Sequence, residues 1–207
     1  MELQFFGANC IRLSTKKARI VIDDNLGELG LKSITKPDDI VLKTNKRLPS
    51  HPSRFDADMP GEYEIAGAII KGVGARAHMD GEKETTSVIY TVAADDIKVA
   101  IVGHIYPELT EEQLEQIGLV DVAIVPVGGN GYTLDAVGAL KIIKQIEPKI
   151  IIPTHYADKE VNYQVPQQEL SEALKILGME PAETVAKYKP NPGALTDATH
   201  LVVLERQ

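Results

Sequence analysis

The chain has 207 residues, 43% of them hydrophobic, enough to fill the core of one folded domain. Lysine and arginine number 22 against 30 aspartate and glutamate, and the net charge of −8 argues against broad binding to nucleic acid or to an acidic membrane surface. Cys10 is the sole cysteine, which excludes an intrachain disulfide and any thiolate metal cluster built from one chain.

The first half reads as strands. Residues 2–6, 10–14 and 18–23 are short apolar or alternating runs split by Gly7-Ala8-Asn9 and Thr15-Lys16-Lys17, the spacing of a β-meander. Residues 24–62 are the least regular stretch, with one strand expected at 40–43. Further strands are expected at 65–73, 86–92 and 98–102, with Gly67, Gly72 and Gly74 marking bulges or turns and Asp95-Asp96 a solvated hairpin turn.

The second half alternates helix and strand. Thr110-Glu-Glu-Gln113 is a capping box that opens a short helix ending near Gly118. A buried strand follows at 121–127. Leu134, Val137, Leu140, Ile143 and Ile146 recur every third residue as the stripe of a helix lying on a sheet, stopped by Pro148. With a second buried strand at 149–153, residues 121–153 form a parallel strand–helix–strand unit, which makes the chain an α/β protein. A last helix is expected over 166–177, with Leu170, Ala173, Leu174 and Leu177 inward and Gly178 at its cap, and a strand at 201–204. There is no repeat, no low-complexity segment, no signal-like start and no apolar run of the roughly 20 residues needed to cross a bilayer. The expected compartment is the cytoplasm, with no membrane partner.

Three histidines fall where strands end. His155 follows the strand at 149–153, His104 follows the one at 98–102, and His78 follows the one at 65–73. Each alone reads as an ordinary loop histidine, satisfied or solvent-facing. Imidazoles at the ends of separate strands are also able to converge on one point, and three histidines plus a water make a legitimate catalytic zinc set. The Gly128-Gly129-Asn130-Gly131 run matches no phosphate-loop pattern and reads as a tight turn. Cys10 sits in a strand pattern, as a buried inert thiol. Lys43, Lys46, Arg47, His51 and Arg54 form a basic cluster that reads by default as a solvated loop.

In this order the pieces resemble the metallo-β-lactamase-fold hydrolases, particularly the small branch related to ascorbate-6-phosphate lactonase. Phe6-Gly7-Ala8-Asn9-Cys10, Val21-Ile22-Asp23, Pro60-Gly61-Glu62-Tyr63-Glu64, Gly103 with residues 109–118, Pro126-Val127-Gly128-Gly129 and Pro153-Thr154-His155-Tyr156 are similar to successive landmarks of that branch and cover nearly all of residues 1–204. The resemblance implies one domain over 1–207, a four-layer αβ/βα sandwich with a metal site at one edge of its two sheets.

The metal motif departs from that pattern. The family places H-x-H-x-D-H after the strand that is here 40–43, and this chain has Asn45-Lys46-Arg47-Leu48-Pro49-Ser50. Asn45, Arg47, Pro49 and Ser50 stand for His, His, Asp and His, and shifting the register to His51 recovers one imidazole only. By the same resemblance His78 and His155 match the remaining histidine ligands, and His104 stands where a metal-bridging aspartate is expected. The usual two-metal hydrolysis, which depends on a bound hydroxide, is therefore expected to be absent. Two lost aspartates and two gained cations, Lys46 and Arg47, offset the charge of two missing divalent ions.

Three readings follow. The first is a non-catalytic member of the fold, with no cofactor, binding a small phosphorylated or carboxylated compound through Lys46 and Arg47 or a partner through its surface. The second is a hydrolase with one zinc ion on His78, His104 and His155. The third is a structural or oligomerising subunit without a ligand. No pattern in the sequence sets the oligomeric state.

Overall fold

The structure is a computed structural model that describes residues 1–196 and 198–207. The expected meander is present: β1 (Glu2–Gly7), β2 (Cys10–Ser14) and β3 (Arg19–Ile22) pair antiparallel. β4 (Ile40–Leu42) and β5 (Phe55–Ala57) then add in parallel to complete a five-stranded sheet.

The second sheet has eight strands. In chain order the elements are β6 (Gly61–Ile65), β7 (Ala68–Ala75), β8 (Ser87–Ala94), β9 (Ile97–Ile101), α1 (Glu111–Ile117), β10 (Val122–Pro126), α2 (Ala136–Ile146), β11 (Ile150–Thr154), α3 (Leu170–Leu177), β12 (Pro181–Val185) and β13 (His200–Leu204). Across the sheet the strands run β12-β13-β11-β10-β9-β8-β7-β6. β9, β10 and β11 are mutually parallel, as the strand–helix–strand pattern requires.

Burial separates the layers. Alternate residues such as Leu3, Ile11, Leu13, Ile20, Tyr90, Val99 and Ile124 fill the space between the sheets. On the far face of the second sheet, Ala123, Val125 and Ile151 pack beneath Ile117 of α1, Ala139, Ile142 and Ile146 of α2, and Ala173 and Leu177 of α3. The far face of the first sheet carries a smaller cluster, Cys10 and Val21 under Leu26, Leu31 and Ile34. Its cover is the 3-10 turn Leu26–Leu29 and the loop after it. Burial pushes the Cys10 thiol well above its ordinary pKa, so it is the inert core group expected.

Local chemistry explains where the elements match or depart from the sequence reading. The capping box holds: the Gln113 backbone N–H donates to Thr110 Oγ1 at 3.2 Å, and the Thr110 N–H donates to Gln113 Oε1 at 2.9 Å. The strand expected at 65–73 is two strands, because Ala66 and Gly67 both take positive φ (50° and 75°), the turn that joins β6 to β7. β5 and β12 went unread since both are sheet edges, short and polar, with little apolar alternation. In α2 the strict three-residue stripe drifts off a helix of 3.6 residues per turn: Val137 is 51% exposed, and Ala136, Ala139, Ile142, Ile143 and Ile146 are the buried face. α3 starts at Leu170, so residues 166–169 lie outside the helix.

Candidate functional site

The three histidines stand on the rim of one cavity of about 220 Å³ at the strand ends. His155 follows β11 with φ 55°, and its N–H donates to the Ala8 carbonyl at 2.7 Å, tying β11 to the β1–β2 turn. His104 follows the end of β9, and His78 follows β7. The His78 N–H donates to the His104 carbonyl at 2.8 Å, and Ala77 bridges Ile105, so these two loops are stitched together. The His104 and His155 rings meet edge-on with centroids 4.6 Å apart. Tyr132 lies 5.4 Å from His104 and 5.8 Å from His155, and Tyr163 lies 5.0 Å from His155, giving the cavity an aromatic wall.

Gln167 sets the state of His155. Its Nε2 donates to the Val165 carbonyl at 2.8 Å, which turns Oε1 toward His155 Nδ1 at 3.0 Å. Nδ1 therefore carries the ring proton and donates, and Nε2 is the acceptor nitrogen. Burial lowers the His155 pKa to about 4, against the opposing pull of the Gln167 bond. His104 is held well below its ordinary value by burial and then by the neighbouring His155 and His78. Near neutral pH both rings are uncharged. Gly128 makes this contact sterically feasible, since a Cβ there would overlap the His155 carbonyl and Gln167 Oε1.

A buried carboxylate braces the floor. Asp23 accepts from Asn9 Nδ2 at 2.7 Å, from the Thr44 N–H at 2.7 Å and from Thr44 Oγ1 at 2.6 Å, and Thr154 Oγ1 donates to Asn9 Oδ1 at 2.6 Å. The network joins the ends of β3, β4 and β11. Burial raises the Asp23 pKa to about 6, even though all three donors pull it down.

The basic cluster divides. Arg47 and Lys46 are both exposed, and of the two only Arg47 lines the cavity. Lys43 is no solvated cation: it is 4% exposed and pairs with Asp56 at 3.2 Å, Asp58 at 3.7 Å and Ser50 Oγ at 2.7 Å. His51 Nε2 lies 2.6 Å from the Asp24 carbonyl, and Arg54 is exposed. Glu28 and Asp80 also line the cavity. Burial raises Asp80, but hydrogen bonds from Thr86 and Ala77 and the charge of Arg47 bring it below its ordinary value, so it is ionised. The cavity lining therefore carries one cation, Arg47, against two acids, Glu28 and Asp80. Tyr132, Tyr163 and Gln167 were missed by sequence reasoning. The tyrosines carry no motif, and Gln167 falls where a helix was expected.

The Nδ1 atoms of His78 and His104 are buried without a hydrogen-bond partner, which leaves them free as ligands. On His155 the bond from Nδ1 to Gln167 leaves Nε2 as the nitrogen able to ligate, but among the described residues no group of three or more His, Cys, Asp or Glu side chains is placed to hold an ion. The described residues at this cavity supply too few donors for a dinuclear centre.

This two-sheet sandwich with histidines at its strand ends defines a class, and the family profile of the beta-lactamase superfamily domain matches residues 2–155. The chain belongs to that superfamily. It is 26% identical over 192 residues to a UPF0173 metal-dependent hydrolase of Natranaerobius thermophilus, covering 75% of this chain and 83% of the relative. A crystal structure from Thermotoga maritima, described as a proposed Zn-dependent hydrolase of the metallo-beta-lactamase superfamily, superposes with a TM-score of 0.76 at 26% identity, covering 100% of this chain and 99% of the other. The metallo hydrolase Igni18 of Ignicoccus hospitalis shares the fold at a TM-score of 0.57 and 17% identity, over 86% of this chain and 90% of that one.

Proposed function

We propose that the histidine cavity is a binding site for a small carboxylated compound and works without the dinuclear metal centre of its superfamily. The observation that carries this is that Arg47 lines the same cavity as two uncharged imidazoles, on a segment, residues 45–50, that lacks the ligands the family resemblance implies there. A guanidinium takes a carboxylate in bidentate fashion. Tyr132 and Tyr163 favour a flat ligand body. Glu28 and Asp80 in the lining favour a single negative charge over a phosphate dianion. The test is titration of benzoate and of phenyl phosphate followed at the backbone amides around His78, His104 and His155, so that binding in this cavity alone is read. Benzoate is expected to bind more tightly, with a dissociation constant that rises with salt and rises again in Arg47→Ala. Benzoate binding unaffected by Arg47→Ala contradicts the reading.

A second reading is favoured by the two unpartnered Nδ1 atoms: a hydrolase with one zinc ion on His78, His104 and His155. Relatives named metal-dependent hydrolases support it. One tightly bound zinc per chain, lost in His104→Ala together with hydrolysis of an ester or lactone, favours this reading over the first.

A further inference from the structure

A second cavity, of about 550 Å³, lies on the outer face of the first sheet between β2 and the loop at 31–36, and it shares no lining residue with the histidine cavity. Arg12, Lys32, Lys36 and Arg206 line it, and no aspartate or glutamate does so among the described residues. In a chain of net charge −8 that segregation is unusual. Arg206 is already neutralised by Asp158 and Glu160, each at 2.6 Å. Arg12, Lys32 and Lys36 make no ion pair among the described residues.

The site is built around Arg12. Its guanidinium lies over the Phe6 ring, 4.9 Å from the centroid, and Nη2 donates to Gln4 Oε1. Its Nε is buried without a hydrogen-bond partner, and the guanidinium as a whole stays part-exposed at the cavity. The opposite wall is preorganised. Asp24 Oδ2 accepts from Ser33 Oγ at 2.7 Å, the Ile34 N–H at 2.9 Å, the Thr35 N–H at 2.8 Å and Thr35 Oγ1 at 2.6 Å, and so holds the lysine-bearing loop in one conformation. Leu31, part-exposed, supplies an apolar surface beside the cations, with the buried Leu26 beneath it.

We propose that this cavity binds a small phosphomonoester, its phosphate held by Arg12, Lys32 and Lys36 and its organic body laid against Phe6 and Leu31. Three unpaired cations suit a dianion better than a carboxylate, and a half-buried guanidinium over an aromatic ring suits phosphate oxygens geometrically. The inference is independent of what the histidine cavity binds.

The experiment is titration of phenyl phosphate into the full chain, followed by backbone amide NMR and calorimetry, with benzoate as the carboxylate comparison. Saturable shifts are expected at the amides of Phe6, Arg12 and residues 31–36. Arg12→Gln should weaken binding about ten-fold, as loss of one charge-assisted contact does. The double variant Lys32→Gln/Lys36→Gln, which alters only exposed side chains, should weaken it similarly, so the idea stays testable if Arg12→Gln does not fold. Arg47→Ala should leave these shifts unchanged. The proposal is overturned if phenyl phosphate shifts only the amides around His78, His104 and His155. It is overturned equally if the lysine variant binds like the parent, or if benzoate binds these residues as tightly as phenyl phosphate.

Discussion

His155 is held by several independent contacts. A positive φ, a backbone bond to Ala8, a side-chain bond to Gln167 and two flanking tyrosines each fix part of its geometry. Its position after a buried strand was legible in the sequence, and so were those of His78 and His104. Its chemical state was not, because that depends on Gln167, twelve residues away in a segment patterned like the start of a helix. Imidazole nitrogen NMR should show the Nδ1–H tautomer of His155 at neutral pH, and Gln167→Leu should abolish that preference. The linkage to stability has a definite sign. With a folded pKa near 4 against an ordinary 6.5, His155 contributes stability above pH 6.5 that is lost as pH falls toward 4, and His104 acts in the same direction. Asp23, raised from 3.8 to about 6, works the other way: its contribution is full below 3.8 and is lost as pH rises through 6. The two effects oppose each other in mild acid. Thermal melting of Asp23→Asn should therefore fall more steeply than that of the parent as the pH is lowered from about 7 to about 5.

Among the elements, the ones with strong local signals were readable. The capping box of α1, the Asp95-Asp96 turn with both φ values positive (51° and 60°), and the all-buried strands β10 and β11 appear where pattern placed them. Edge strands β5 and β12 lack such a pattern, since pairing on one side only asks little of their side chains. Lys43 shows the same limit in a side chain. At the end of β4 it turns inward to Asp56, Asp58 and Ser50, pairings that only the arrival of β5 creates. Lys43→Met should cost about 2 kcal/mol by denaturant unfolding, the range for a lost hydrogen bond to a charged group. Gly128→Ala tests the packing of the turn before α2. Overlap with His155 and Gln167 should destabilise the fold and move the His155 ring resonances, even though the side chain added is a single methyl group.

On the scale of the whole molecule, two sheets carry their helices unevenly. α1, α2 and α3 all cover the eight-stranded sheet, and a turn and a loop cover the other. The histidine cavity sits at the strand ends where the sheets meet, the place the family resemblance implies for metals, and the loop from Asn45 onward borders it through Asn45, Arg47 and Leu48. The scaffold should therefore still accept its ligands. A variant carrying Asn45→His, Arg47→His, Pro49→Asp, Ser50→His and His104→Asp should take up more zinc than the parent and melt higher on adding metal, with little turnover. Equal uptake by a folded variant would show that residues 45–50 are not the old ligand loop. The parent chain supplies the most direct measurement: elemental analysis after purification without added metal, repeated after equilibration with zinc and gel filtration. The account predicts no dinuclear site and at most one weakly held ion per chain. Two tightly bound equivalents of zinc, manganese or iron would contradict it.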